Sequence, residues 1–234
     1  MNRFGNIKYL EEWTSPKPGQ TPTKADRTVI MLHGYGADAY DLRSLAEVMN
    51  TGHNTHWIFP NGPLSVPIGP GWTGSAWWPI DMVRLQAAAA AGNVDFRAEA
   101  EPAELPKLRE QFLQWIPTVE PDWKKVILAG FSQGSMLACD IFLHAPEAPL
   151  GLVLFSSALM NKQVWEAKAP GRAGSRFFQS HGDQDTILPL RVGSQLESLL
   201  VQKGGMKGSL FTFKGAHEIP MAAIERANQY MQSL

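Results

Sequence analysis

The sequence predicts an α/β fold, a mostly parallel central sheet with helices on both faces. Three observations lead there. Short apolar runs recur along the chain, segments of helical apolar periodicity separate most of them, and 234 residues with 44% hydrophobic and 18% charged content suit one sizeable core. One domain over residues 1–234 is expected.

Residues 7–13 read as an early edge strand, followed by a polar, proline-containing connection through Lys24. The run at 28–32 is continuously apolar, as in a strand buried on both faces, and ends in His33-Gly34-Tyr35-Gly36. A helix follows, with Leu42, Leu45, Ala46 and Met49 on one face and Asp41 near its start. Residues 56–59 form a strand, 104–116 a helix with Leu105, Leu108, Phe112 and Trp115 on one face, and 125–129 a strand. Then come a helix over 132–144, strands over 151–155 and 176–180, and a helix over 191–202. A last strand at 209–213 precedes a closing helix at 220–234, with Met221, Ile224, Ala227 and Met231 inward. Alternating strands and helices imply parallel pairing, because each parallel connection needs a crossover.

Two segments break the rhythm. Residues 61–81 are rich in glycine, proline and tryptophan, and 84–104 is a helix-prone alanine stretch interrupted at Gly92-Asn93. Together, 61–104 is expected to be a loop or lid-like insertion near the active site.

Charge excludes some functions. The 21 Lys+Arg against 22 Asp+Glu leave a net charge of -1, which supplies no basic field for nucleic acid. The first 19 residues lack an apolar core of signal-peptide length, and no stretch approaches a membrane span. A cytoplasmic protein without integral membrane association is expected, and the lone Cys139 is compatible with a reducing compartment. Homodimerisation stays open.

The chemistry centres on Gly130-Phe131-Ser132-Gln133-Gly134, between an apolar strand and a helix. A serine hydroxyl is a poor nucleophile until a base takes its proton and donors receive the oxyanion formed on attack. Flanking glycines permit a cramped turn that projects Ser132, and the following helix start presents N–H groups. Downstream, "HGDQDTILP" supplies Asp183 and Asp185, and "GAHEIP" supplies His217. Asp185 is the better acid, because Asp183 directly follows His181-Gly182 and can brace that turn. His217 is the expected base, and the amides of Tyr35 and Gln133 are the expected oxyanion donors.

The remaining histidines have plainer readings. His53 and His56 have metal-pair spacing but no clustered third ligand, so they are read as surface polarity, and no metal or cofactor is expected. His144 ends a helix, where a cation suits the dipole. His33 and His181 precede glycines and read as loop-shaping hydrogen bonders. "HGYGAD" lacks the third glycine of a dinucleotide-binding loop.

In order, "LHGYGAD", "AWWPID", "GFSQG", "HGDQDTILP" and "GAHEIP" resemble the motifs of the carboxylesterase/phospholipase family of α/β-hydrolases that includes the acyl-protein thioesterases. The resemblance runs from Leu32 to Pro220. It implies the α/β-hydrolase fold and metal-independent hydrolysis of carboxylic or thio esters through an acyl-enzyme. It carries Ser132, Asp185 and His217 over as triad, Tyr35 and Gln133 as oxyanion-hole amides, and the segment around Trp78 as acyl-chain wall. Tyr35 stands where many relatives have leucine.

Trp72, Trp77 and Trp78 offer flat apolar surface for an acyl chain or, equally, satellite core beneath a long loop. Gly34, Trp78 and Leu188 are the expected substrate contacts. The expected function is a serine esterase for small acyl esters of short to medium chain. Thioesterase or lysophospholipase activity, an acyltransferase, and a non-catalytic binding protein of the same fold are the alternatives.

Overall fold

A computed structural model describes residues 1–17, 19–81, 83 and 101–234. The strands, in chain order, are β1 (Asn2–Phe4), β2 (Ile7–Thr14), β3 (Arg27–Leu32), β4 (Thr55–Asn61), β5 (Leu64–Gly69), β6 (Trp72–Ala76), β7 (Val126–Phe131), β8 (Gly151–Phe155), β9 (Arg176–Gly182) and β10 (Lys207–Phe213). The helices are α1 (Leu45–Val48), α2 (Leu105–Val119), α3 (Gln133–His144), α4 (Lys162–Lys168), α5 (Leu190–Ser198) and α6 (Met221–Gln232).

Eight strands form one sheet in the order β1-β2-β4-β3-β7-β8-β9-β10, while β5 and β6 pair separately. Pairing from β4 through β3, β7, β8 and β9 to β10 is parallel; β1–β2 and β2–β4 are antiparallel. On β3, Ile30 and Leu32 face the core shared with α2 to α5, and Val29 and Met31 face the core shared with α1 and α6. Both faces are therefore apolar, which is why the run at 28–32 shows no polar alternation. Phe112, Trp115 and Trp165 fill the first core. Trp57, Phe59 and Phe155 fill the second.

The departures from expectation have local causes. Residues 7–13 lie inside β2, which is not the edge, because Asn2–Phe4 folds back to flank it. The helix expected around Asp41 shortens to the single turn of α1. From Asp41 to Glu47 the amides of Asp41, Arg43, Leu45, Ala46 and Glu47 donate to carbonyls three residues back, the pattern of successive tight turns and not of a continuing α-helix. After α5 the chain continues through a π-helical turn, Leu199–Lys203. α4 has no counterpart in the sequence reading.

Part of the expected insertion over 61–104 is the β5–β6 hairpin; residues 84–100 lie outside the described residues. A Cβ on Gly74 would run into the Gly36 carbonyl, so the hairpin sits directly on the loop after β3. Gly36 N–H donates to Ser75 O at 2.9 Å and Ser75 N–H to Ala37 O at 2.7 Å. Among the described residues, no helix is long and apolar enough to cross a membrane.

Candidate active site

Loops at the C-terminal ends of β3, β7, β9 and β10 meet above the sheet, where open parallel sheets collect ligands. β7 delivers Ser132 in the left-handed region, at φ 53°. Such a backbone costs roughly 1–3 kcal/mol and persists only where its surroundings hold it. Here Ser132 N–H donates to Phe155 O at 3.0 Å, and Ser135 Oγ–H donates to Ser132 O at 2.6 Å. The glycines are required sterically. A Cβ on Gly130 would meet the Gly134 carbonyl, and one on Gly134 would meet the carbonyls of Leu32 and His33.

From β10, His217 brings Nε2 to 2.8 Å from Ser132 Oγ and Nδ1 to 2.6 Å from Asp185 Oδ2. Its ring lies against Phe131, with centroids 4.8 Å apart. Asp185 Oδ1 accepts the N–H groups of Ile187 at 2.9 Å and Leu188 at 2.7 Å, which turns Oδ2 toward His217. His181 Nε2 lies 3.3 Å from the same Oδ2. Burial works against the Asp185 charge, but hydrogen bonds from His181, His217 and the Leu188 amide outweigh it and hold this carboxyl well below the usual range.

Asp183 has a different task. Its Oδ1 accepts from Gly215 N–H at 3.2 Å, while Asp183 N–H donates to Phe213 O and Gln184 N–H to Gly215 O, each at 2.9 Å. These bonds strap the end of β9 to the segment carrying His217.

Ser132 and His217 open into a cleft of about 260 Å³, lined also by Gly34, Tyr35 and Gln133 and by the apolar side chains of Ile80, Phe131, Met136 and Ile187. A larger recess of about 570 Å³, bordered by Lys162, Glu166, Arg191 and Lys203, holds none of these groups.

The structure thus brings together Ser132, Asp185, His217, Gly34, Tyr35 and Gln133. Trp78 and Leu188, expected at the substrate, instead lie behind the wall in the core. The Trp78 carbonyl accepts from Gln133 Nε2–H at 2.8 Å. Leu188 is turned inward because its N–H serves Asp185 and its carbonyl accepts from His181 Nε2–H at 2.6 Å. Trp77 is fully buried, and Trp72 is 73% exposed on the hairpin. Ile80, Met136 and Ile187 line the cleft without a motif of their own to mark them, although Met136 stands one helical turn after Ser132 and Ile187 directly precedes Leu188.

Two histidine readings need correction. His56 is buried, not surface: its Nε2 lies 2.9 Å from Glu11 Oε1 and its ring stacks on Trp13 at 4.2 Å. His144 does end α3, but burial lowers its pKa from 6.5 and so works against the cation, and its Nδ1–H donates to Asp140 O at 2.8 Å.

A family model described as Phospholipase/Carboxylesterase matches residues 19–234. Acyl-protein thioesterase 1 of Cryptococcus neoformans var. neoformans serotype D (strain JEC21) is 26% identical over 205 residues, covering 86% of this chain and 81% of that protein. The Saccharomyces cerevisiae protein of the same name is 27% identical over 177 residues, with 72% and 74% covered. Among solved structures, esterase PE8 superposes with a TM-score of 0.73 at 23% identity, covering 97% of this chain and 99% of that one. The Bacillus cereus carboxylesterase gives 0.65 at 18% identity, covering 97% and 94%.

Proposed function

The chain belongs to the phospholipase/carboxylesterase family, whose members are ester hydrolases, and we propose that Ser132, His217 and Asp185 are its catalytic triad, acting on acyl esters of short to medium chain. The observation that carries this reading is the unbroken hydrogen-bond chain Asp185 Oδ2–His217 Nδ1, His217 Nε2–Ser132 Oγ. As the Ser132 oxygen attacks the ester carbonyl carbon, its proton passes to His217 Nε2 and the carbonyl oxygen gains the negative charge. The N–H groups of Tyr35 and Gln133 receive that oxyanion, and Asp185 steadies the imidazolium.

Collapse of the tetrahedral adduct breaks the bond to the alcohol oxygen, which takes the proton from His217 and leaves. Water then repeats the sequence on the acyl-enzyme: His217 removes its proton, hydroxide adds to the carbonyl, and the proton returns to Ser132 as the acid departs. Every atom comes from ester and water, so no cofactor enters.

Ile80, Met136, Ile187 and Phe131 supply the apolar wall for the acyl group. A cleft of about 260 Å³ favours short and medium chains. The second reading, a thioesterase or lysophospholipase, draws support from the relatives named acyl-protein thioesterase 1. The same proposal takes residues 1–234 as one catalytic domain in the cytoplasm, in keeping with a single, buried Cys139.

Ser132→Ala is expected to lower p-nitrophenyl butyrate hydrolysis by roughly 10⁴-fold or more while the thermal melt barely moves. Turnover retained in that variant removes Ser132 from the nucleophile's role. A matched series of p-nitrophenyl esters and acyl thioesters from two to sixteen carbons separates the two substrate readings.

A further inference from the structure

The two amides assigned to the oxyanion, one in the loop after β3 and one at the first residue of α3, lie about a hundred residues apart, and one buried hydrogen-bonded chain joins their neighbourhoods. His33, just past β3, brings Nδ1 to 2.7 Å from Gly34 O. A carbonyl only accepts, so Nδ1 carries the proton. Its Nε2 lies 2.9 Å from Gly62 N, and an amide N–H only donates, so Nε2 is the bare nitrogen. The two contacts select one neutral tautomer, and burial lowers the His33 pKa to about 4, which preserves that form at neutral pH.

The consequence concerns the next peptide. The Gly34–Tyr35 bond is trans and planar, so its carbonyl and its N–H point in opposite directions. Drawing Gly34 O onto His33 and, at 3.3 Å, onto Ala37 N–H turns Tyr35 N–H the other way. Gly34 and Tyr35 both line the cleft that holds Ser132, and a Cβ on Gly34 would stand 3.4 Å from Ser132 Cβ.

On its other side His33 meets Trp77. The indole Nε1–H donates to His33 O at 2.8 Å, and the two rings lie 4.9 Å apart. Trp77 N–H donates to Gln133 Oε1 at 3.0 Å, and Gln133 Nε2–H donates to Trp78 O. Gln133 owns the second oxyanion amide. His33, Trp77 and Gln133 are all at most 1% exposed, so water does not compete for these bonds.

We propose that His33 is a positioning residue for the oxyanion-binding amides, holding Tyr35 N–H at a set separation from Gln133 N–H through Trp77. This rests on the reading of Ser132 as nucleophile. It separates the two histidines of the site: His217 moves protons, and His33 holds geometry.

Two replacements divide the functions of the ring. His33→Leu removes both hydrogen bonds, whereas His33→Asn puts a donor N–H near the Nδ1 position and restores the bond to Gly34 O. On p-nitrophenyl butyrate, His33→Leu is expected to lower kcat by roughly 10²-fold with KM within about threefold, the pattern of an interaction made in the transition state. His33→Asn is expected to recover about tenfold of that loss. Trp77→Phe, which keeps a ring but loses the indole N–H, is expected to lower kcat about fivefold at unchanged KM, and it carries the test if His33→Leu does not fold.

His33→Leu kcat within threefold of wild type, His33→Asn no better than His33→Leu, or Trp77→Phe at wild-type kcat overturns the proposal. Labelling of wild-type Ser132 by a fluorophosphonate, read by mass spectrometry, keeps the two layers apart. Absence of label removes the nucleophile reading and this inference with it; label together with an insensitive His33 removes this inference alone.

Discussion

Asp140 and Asp185 are both buried carboxylates with histidine neighbours, yet they are compensated in opposite ways. Asp140 lies on α3, two turns beyond Ser132. It accepts from Arg109 Nε–H at 2.6 Å and Trp165 Nε1–H at 2.9 Å, with His144 Nδ1 3.6 Å away. A permanent cation therefore answers its charge. Asp185 is held by two backbone amides on one oxygen and by imidazoles on the other. Arginine's guanidinium stays charged whatever happens nearby, so the Asp140 cluster ties α2 and α4 to α3 with a fixed charge. Amides and imidazoles leave Asp185 free to respond when His217 becomes charged.

The largest expected effect tests the site half of that contrast. Asp185→Asn should lower kcat by roughly 10⁴-fold, because an amide no longer selects the His217 tautomer. Its thermal melt should fall as well, because the hydrogen bonds that hold the Asp185 carboxyl low also stabilise the fold, so kcat is read below the melt. A loss below tenfold would mean that His217 is oriented by something else.

Asp140→Ala should cost stability without the loss of kcat. Half-buried Arg109 keeps Glu101, but the buried indole N–H of Trp165 loses its acceptor, so the change is expected to cost about 1–3 kcal/mol in urea unfolding, with kcat of the folded protein within about threefold. A large kcat loss below the melt would join the two clusters and break the comparison.

Acid sharpens it further. Burial lowers the His144 pKa in the fold, so the unfolded chain binds its proton first as pH falls through 6.5, and stability declines from there downward. The Asp185 carboxyl is held below 3.8, so its contribution is complete above that value and fades only at lower pH. His144→Gln should reduce the decline below pH 6.5, which buried His33 and His56 share, whereas Asp185→Asn should change the slope only below 3.8. Unfolding free energies measured across that range check both.

The smallest effect belongs to a neutral tie. Tyr230 O–H donates to Arg176 O at 2.8 Å and accepts from Leu152 N–H at 3.1 Å. Tyr230→Phe should cost about 1–2 kcal/mol and leave kcat untouched.

Much of this was legible before any coordinates. The apolar runs at 28–32 and 151–155 announced themselves because a strand buried on both faces has no polar positions to interrupt it. The motif around Ser132 was visible because its glycines answer a local steric demand. Hidden elements were those whose reasons are nonlocal. β5–β6 carries Pro67, Gly69 and Gly71, which read as loop, and is positioned by bonds to the segment after β3. Trp78 and Leu188 sit close in sequence to the cleft residues Ile80 and Ile187, but a change of direction over one or two residues exchanges wall for core.

The sequence by itself determined the alternation of strands and helices, the strand-to-helix turn at Ser132, and the set of side chains able to do acyl transfer, because those depend on local periodicity and residue chemistry. The tertiary structure decided between neighbours. It gave Asp183 to a strap and Asp185 to His217, put Ile187 in the cleft and Leu188 behind it, and joined His33 to Gln133 through Trp77. The first and last of those choices turn on hydrogen bonds between residues dozens of positions apart, whose partners are specified only once the sheet has brought its strand ends together, and the second on the local bonds that Asp185 and His181 make to Leu188.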